Sequence, residues 1–396
     1  MNAKDVEDAH MMNKEHDDST QQRHKRMRVA WIGSRGVPAR AELGGGIERA
    51  VEELGSRLAA RGHEVTVYCR SYYTREVSEY AGMRRVVLPT IRSKHLDTIV
   101  HTALATAHSL TCSYDIVQYF AFGPSLFAWA PRIRGMRSVA SVRTLEWQRE
   151  KWGRIARTIL RLGERAAVYC PDATTTVSLP IKEYLERRYS RTVAHIPNGV
   201  SAPTLRPPRW ITTQGLAPNG YVLFVGRLVP EKGCHDLLRA FSRVRTDKSL
   251  VLAGAPSYSE AYTAELRQLA DQRVHFVGHV TGEFLEELYS NAYLYVQPSY
   301  VEGMSNSLLE ALAYQRCVLA SDIPENLAVI GSYGVTFRCG DVDDLEHNLR
   351  MLLDQSPAVE EMGKRAGEYV LRCYSWETVA DATEALYRSL TDPGSR

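Results

Sequence analysis

Two α/β domains with parallel sheets, facing each other across a cleft, are what this sequence predicts. Three observations carry that expectation. Short aliphatic and β-branched runs alternate with helical periodicity in both halves of the chain. Between the halves, residues 197–220 hold Pro197, Pro203, Pro207, Pro208 and Pro218 with Gly199, Gly215 and Gly220. Such a run cannot continue a helix or a central strand. Finally, 396 residues at 44% hydrophobic and 24% charged are enough for two or three cores.

Taken in order, residues 1–26 lack Leu, Ile, Phe, Tyr and Trp and read as a disordered, solvated tail. His10, His16 and His24 are part of that tail composition rather than metal ligands. Arg28 to Gly33 reads as a buried strand ending in glycine. After Gly44, Gly45 and Gly46, the residues Ile47, Val51, Leu54 and Leu58 recur at helical spacing until Gly62. Residues 64–69 form the next strand. A strand–helix–strand unit of this kind builds a parallel sheet.

The alternation returns after residue 220. Strands are expected at 221–225, 249–253, 274–277, 293–296 and 318–320, with helices at 236–244, 260–269, 283–291 and 307–314. Residues 375–390 read as a final helix capped by Ser375. The expected division is a tail at 1–26, a first domain at 27–200, a linker at 201–219, a second domain at 220–375, and a closing segment at 376–396.

Composition removes several classes of function. A net charge of +3 is too small for a dedicated nucleic-acid binder. Seven scattered cysteines without a CxxC pair argue against a zinc ribbon or a disulfide scaffold, and place reduced thiols in the cytoplasm. The longest apolar stretch, 116–131, is interrupted by Gln118, Gly123 and Pro124, and falls short of the ~18 residues a membrane span needs. The N-terminus lacks the pattern of a signal peptide.

Two constellations carry chemistry. The first is Gly226-Arg-Leu-Val-Pro-Glu-Lys-Gly233, between a strand and a helix. It sets Arg227 and Lys232 at the carboxyl end of a strand, where two cations suit a diphosphate. A surface loop with two solvated charges is the plain alternative; the buried strand and flanking glycines favour a site. The second is Glu302-Gly-Met-Ser-Asn-Ser-Leu-Leu-Glu310, with a helix starting near Asn306 or Ser307. Free N–H groups at that helix end favour phosphate or sugar oxygens. The carboxylates of Glu302 and Glu310 can accept hydrogen bonds from the adjacent hydroxyls of a ribose or hexose.

Together these motifs resemble the retaining glycosyltransferases of family 4. Glu302 and Glu310 fit the family's E-x7-E pattern, and Arg227 and Lys232 fit its G-R-x-x-x-x-K-G pattern. Gly45-Gly-Ile-Glu48, His195-Ile-Pro-Asn-Gly-Val200 and Tyr374-Ser-Trp376 match further. The resemblance covers nearly all of 28–390. It implies the GT-B fold: two Rossmann-like domains and a C-terminal helix that crosses back to the first, with Trp376 as a packing anchor near the crossing; a helix that simply finishes the second domain is the alternative. A dinucleotide fingerprint is the alternative for the glycine loop, and its G-x-G-x-x-G spacing is absent.

The resemblance implies a nucleotide-sugar donor in the cleft. Arg227 and Lys232 would neutralise the departing diphosphate, with Gly226 beside them. Glu310 would hold the ribose. Glu302 and the backbone of Met304, Ser305 and Asn306 would hold the donor sugar. Gly45 and Gly46 would let the first-domain backbone approach the phosphate or acceptor. The strand end at 276–280, through Val280, would meet the base. Breaking the C–O bond places charge on phosphate, where fixed cations stabilise the transition state more than the ground state. No metal or other cofactor is implied, because Arg and Lys supply the positive charge.

Many relatives carry a catalytic histidine on a loop after a first-domain strand. Arg143 stands at the equivalent place, within 139–149. An arginine is no base, but it can hold a sugar hydroxyl or a phosphate. The following Leu145-Glu-Trp-Gln-Arg-Glu-Lys-Trp152 resembles bacterial polysaccharide transferases, including rhamnosyltransferase-like members that tend to lack the histidine.

Arg154, Arg157, Arg161 and Arg165 form a basic stripe beside an apolar stripe of Ile155, Ile159, Leu162 and Ala166. A basic amphipathic helix can lie on an anionic membrane surface. An ordinary helix packed on its sheet is the alternative. The expected partners are a nucleotide-sugar donor and a saccharide or lipid-linked acceptor, with the inner membrane surface as a docking place. A nucleotide-sugar epimerase of the same fold and a non-catalytic nucleotide-sugar-binding protein are the rival readings.

Overall fold

The structure, a computed structural model, describes residues 26–40, 45–74, 78–93, 96–148, 153–255 and 260–392. The expected tail with its three histidines, together with Gly44, Lys151 and Trp152, lies outside the described residues.

The first sheet contains β1 (Arg28–Ile32), β2 (Glu64–Arg70), β3 (Glu79–Tyr80), β4 (Met83–Leu88), β5 (Ile116–Phe120), β6 (Arg137–Val142), β7 (Ala173–Thr176) and β8 (Ala194–His195). Its order is β3-β4-β2-β1-β5-β6-β7-β8, with every pair parallel except β3–β4. The second sheet contains β9 (Tyr221–Val225), β10 (Ser249–Ala253), β11 (Val274–Gly278), β12 (Leu294–Gln297), β13 (Cys317–Ser321) and β14 (Val335–Phe337). Its order is β11-β10-β9-β12-β13-β14, parallel throughout.

Both sheets are covered on two faces, so their central strands are buried from end to end. In β1, Val29, Ala30, Trp31 and Ile32 are all fully buried, as are Val222, Leu223 and Phe224 in β9. β1 after Arg28, and β9, therefore read as continuous apolar runs rather than alternations.

The chain crosses between the domains twice, and the crossings are tied together. Val200 N–H donates to the Tyr374 carbonyl at 2.7 Å. A Cβ on Gly199 would lie 2.4 Å from the Trp376 ring, so only glycine lets the crossings touch there. The helix Trp376–Thr391, capped by Ser375, then lies on the first-domain helix Gly46–Ala60. Trp376 is buried, as expected of an anchor. Trp31 Nε1–H donates to the Tyr387 hydroxyl at 3.0 Å, and that hydroxyl donates to Gln118. Arg61 reaches Asp381 at 2.7 Å and Glu377 at 2.8 Å, but these carboxylates are mostly exposed. Such ion pairs contribute little, and the buried aromatic contacts hold the helix.

The proline-rich stretch departs from the expectation. It contains one helical turn, Trp210–Thr213, which follows Pro207 and Pro208. Proline excludes helix interiors but is tolerated at helix starts. Ile211 is buried there, and the N–H groups of Arg209 and Ile211 donate to Glu287 at 2.5 and 2.9 Å.

Candidate functional site

The second-domain side of the site starts where β9 ends. Gly226 packs against Phe224, and its N–H donates to Ala253 at 3.0 Å, so it is scaffold for the loop. Arg227 follows on the exposed side. A 3-10 turn, Pro230–Lys232, and Gly233 at φ 68° lead into the helix Cys234–Arg243. A Cβ at Gly233 would sit 2.0 Å from the Pro298 carbonyl, so the turn and the end of β12 are pressed together.

That contact brings Lys232 Nζ onto Glu302. The same Glu302 oxygen accepts from Gln297 Nε2 at 2.6 Å and Ser299 Oγ at 2.7 Å. Gln297 is itself fixed, its Oε1 accepting from the Tyr295 hydroxyl at 2.6 Å. The lysine and glutamate side chains are only 15% and 9% exposed. Removing two such charges from water is costly, and the added donors on Glu302 offset that cost.

The helix Asn306–Ala313 begins above this pair. Its cap is Ser305, whose Oγ accepts from Leu308 N–H at 3.3 Å, and not Asn306 or Ser307 as the sequence suggests. The helix itself begins at Asn306, as expected, with Leu308, Leu309 and Leu312 buried against the core. Glu310 lies on the partly buried side. Burial raises its pKa, while the Arg49 charge and the Tyr289 hydroxyl pull the other way.

The first domain forms the opposite wall at three points. A Cβ at Gly303 would lie 1.8 Å from the Arg143 carbonyl, so the 302–306 loop touches the end of β6. A Cβ at Gly46 would lie 3.4 Å from Asn306 Nδ2. Asn198 Nδ2 donates to the Met304 carbonyl at 3.1 Å. Gly45 caps the 46–60 helix, and its N–H donates to Glu48 at 2.8 Å.

Arg143 is a charged group of this wall, with Glu48 and Arg49 near it. Its Nη2 is buried without a hydrogen-bond partner. Burial lowers its pKa to about 10, opposed by the Glu48 charge, so it stays cationic at neutral pH. Thr144 Oγ1, Ser178 Oγ, Asn198 Oδ1 and Asn306 Oδ1 are likewise buried without partners. Buried polar atoms are nearly always paired. This group, at the strand ends and crossings where the domains meet, is an arrangement that a polar ligand would complete.

The structure thus brings Lys232, Glu302, Met304, Ser305, Asn306, Gly45, Gly46 and Arg143 to one junction, with Glu310 a helical turn further in. Val280 instead packs against the second-domain core. Sequence reasoning missed Gln297, Ser299, Gly303, Thr144 and Asn198. Gly303 lies inside the E-x7-E run and Asn198 inside the 195–200 motif, so position alone could have flagged both.

A cavity of about 840 Å³ lies elsewhere, at the amino ends of β1, β5 and β6. Its Arg137 and Arg132 pair with Asp172, and its Arg28-facing Asp115 is also paired. Size does not make it the site, because none of the motif residues line it. A gap of about 10 Å³ between the domains, beside Ser178, His195, Met304 and Glu325, has room for about one water.

Comparison with known proteins agrees with this geometry. Residues 44–202 match the family described as Glycosyltransferase Family 4, and residues 219–355 match Glycosyl transferases group 1. The chain is 25% identical to a glycogen synthase of Mycobacterium tuberculosis, over 87% of this chain and 91% of that protein. It is 29% identical to O-antigen chain mannosyltransferase B of Escherichia coli, over 44% of this chain and 47% of that protein. A sucrose-phosphate synthase structure from Thermosynechococcus elongatus superposes with a TM-score of 0.79 at 24% identity, covering 92% and 99% of the two chains.

Proposed function

We infer that this chain, a glycosyltransferase of family-4 type with the GT-B fold, moves a sugar from a UDP-, dTDP- or GDP-linked donor to a saccharide or lipid-linked acceptor. The observation that carries the reading is the Lys232–Glu302 pair, whose glutamate stands four residues before the start of the 306–313 helix and next to Gly303, which touches the Arg143 carbonyl of the first domain. Lys232 and Arg227 take up the charge that develops on the diphosphate. The helix end adds N–H groups and a favourable dipole. Glu310 accepts from the ribose hydroxyls. Glu302, held by three donors, and the 304–306 backbone orient the donor sugar. Arg143 meets the sugar or the phosphate from the opposite wall.

Lys232 and Arg227 supply the positive charge that a metal would otherwise bring, so transfer needs none. Retention of configuration is what the family resemblance implies. Leu145-Glu-Trp147 supports a place among the bacterial polysaccharide, rhamnosyltransferase-like members. The partial likeness to an O-antigen chain mannosyltransferase points to the same cell-surface chemistry.

The acceptor reading extends to an anionic membrane surface at the cytoplasmic face. On the helix Arg154–Tyr169, Arg154, Arg157, Arg161 and Arg165 are exposed, and so are Ile159 (40%) and Leu162 (56%). The acid of this helix, Glu164, turns inward and accepts from Trp147 Nε1–H at 2.6 Å and the Tyr189 hydroxyl at 2.6 Å. Bases and apolar side chains therefore share the outer surface, as an interfacial helix requires. Among the described residues no helix is long and apolar enough to cross a membrane.

A thermal-shift screen with UDP-, dTDP- and GDP-sugars tests the donor reading. The true donor at ~100 times its Kd adds about 2.7 kcal/mol to stability. No shift with any of them contradicts it. Free interconverted sugar, without transfer, would indicate the epimerase. Flotation with phosphatidylglycerol vesicles at low salt tests the surface. Binding that is lost in Leu162→Glu supports it, and no binding ends it.

A further inference from the structure

We propose that Asn198 is a positioning residue that sets the register of the donor loop 303–306 against the first domain. This rests on the reading that the loop, and the helix end it leads into, hold the donor's sugar and diphosphate. Asn198 follows β8 at the first crossing and is 5% exposed. Its Nδ2 donates to the Met304 carbonyl at 3.1 Å, and its backbone N–H points at Met304 Sδ at 3.2 Å. Both bonds span the two domains.

Its neighbours fix it in place. Gly199 lies against Trp376, and Val200 bonds to Tyr374, so position 198 cannot shift without both crossings moving. Across the loop, Gly303 sits on the Arg143 carbonyl. The 302–306 segment is therefore gripped on one side by the end of β6 and on the other by Asn198. In a trans peptide the carbonyl of residue 304 and the N–H of residue 305 point opposite ways. By drawing the Met304 carbonyl toward the crossing, Asn198 aims the Ser305 N–H to the other side of the loop. It thereby fixes the start of the helix that Ser305 caps.

The other end of the amide separates this role from simple packing. Asn198 Oδ1 is buried without a partner. A buried acceptor left unmade is a standing cost to stability, and an apolar side chain would fill the space without it. An amide kept there at that cost indicates that its donor end is needed.

The test titrates UDP, dTDP and GDP calorimetrically into the full chain as wild type and Asn198→Asp, with melting followed in parallel. In Asn198→Asp a carboxylate oxygen replaces the donor, and protonation at lower pH restores one. The expected result is binding of one nucleotide by wild type and a loss of about tenfold in Asn198→Asp at pH ~8. Most of that loss returns at pH ~5.5, relative to wild type measured alongside, which accounts for Glu310, His195 and Glu325. If Asn198→Asp fails to fold, Asn198→Ser, too short to reach, shows the same loss. Equal affinity in wild type and the Asn198 variant overturns the role, as does a loss that low pH does not restore. Wild type that binds none of the three nucleotides overturns the donor-loop reading itself.

Discussion

Lys232 and Glu302, on the second-domain side of the cleft, satisfy each other. Arg143, Thr144 and Ser178, on the first-domain side, hold buried polar atoms without partners. On the second-domain shelf the charged pair is complete before any ligand arrives, with Asn306 Oδ1 left open beside it: Glu302 is met by a lysine, an amide and a hydroxyl, and Gln297 is locked by Tyr295. The first-domain wall is closed in shape, since Gly303 already touches the Arg143 carbonyl, but open in hydrogen bonding. Charge that must face a leaving group is best fixed in advance, because no reorganisation is then needed in the transition state. A wall that recognises the incoming molecule can leave its bonds to be made by that molecule.

Lys232→Ala strikes the prepared side and should have the largest effect. Turnover should fall by about 10²–10³, the cost of losing one fixed donor at a developing charge. The chain should still fold, with a lower melting temperature, because Glu302 keeps Gln297 and Ser299 but loses its buried counter-charge. Near-normal turnover would break the contrast between the walls.

Gly303→Ala separates the walls instead of emptying one. The added methyl cannot fit at 1.8 Å from the Arg143 carbonyl, so the loop must back away. Each domain should still fold, scattering should show a larger radius of gyration, and transfer should drop by about a hundredfold, as misplaced groups imply. Arg143→Gln sharpens the comparison from the other side. Nucleotide affinity should stay level while transfer falls at least about tenfold, the loss of one charged hydrogen bond. An equal loss of nucleotide affinity would move Arg143 to the diphosphate.

Glu310→Gln gives the smallest effect and one that depends on pH. Burial raises the Glu310 pKa above its ordinary 4.5, so the folded chain holds this proton more tightly than the unfolded chain. The stability tied to the protonated form is full below pH 4.5 and fades as pH climbs through the raised value. The variant should therefore melt no lower than wild type near neutral pH and match it in acid, while donor affinity falls about tenfold. Unchanged affinity would remove the ribose role.

Much of this was legible in the chain itself. Buried parallel strands announce themselves as apolar runs, which is why 221–225 and 249–253 were located to the residue. Lys232 and Glu302 were legible as residues but not as a pair, because 70 positions separate them and only the fold joins them. The later strands of the first sheet were harder. β7 is Ala-Thr-Thr-Thr, buried yet polar, and β8 spans two residues, so neither has an apolar signature. The cap of the 306–313 helix was misplaced because Ser305, Asn306 and Ser307 all suit that position. Asn198 carried no chemical signal of its own, since its importance comes from a contact across the domains.

The central claim is that Lys232 grips the diphosphate of the donor. Calorimetric titration of UDP, dTDP and GDP into wild type and Lys232→Ala tests it most directly. The account predicts that one nucleotide binds wild type and that the variant loses at least about tenfold in affinity for it. Equal affinity in the two proteins would contradict it.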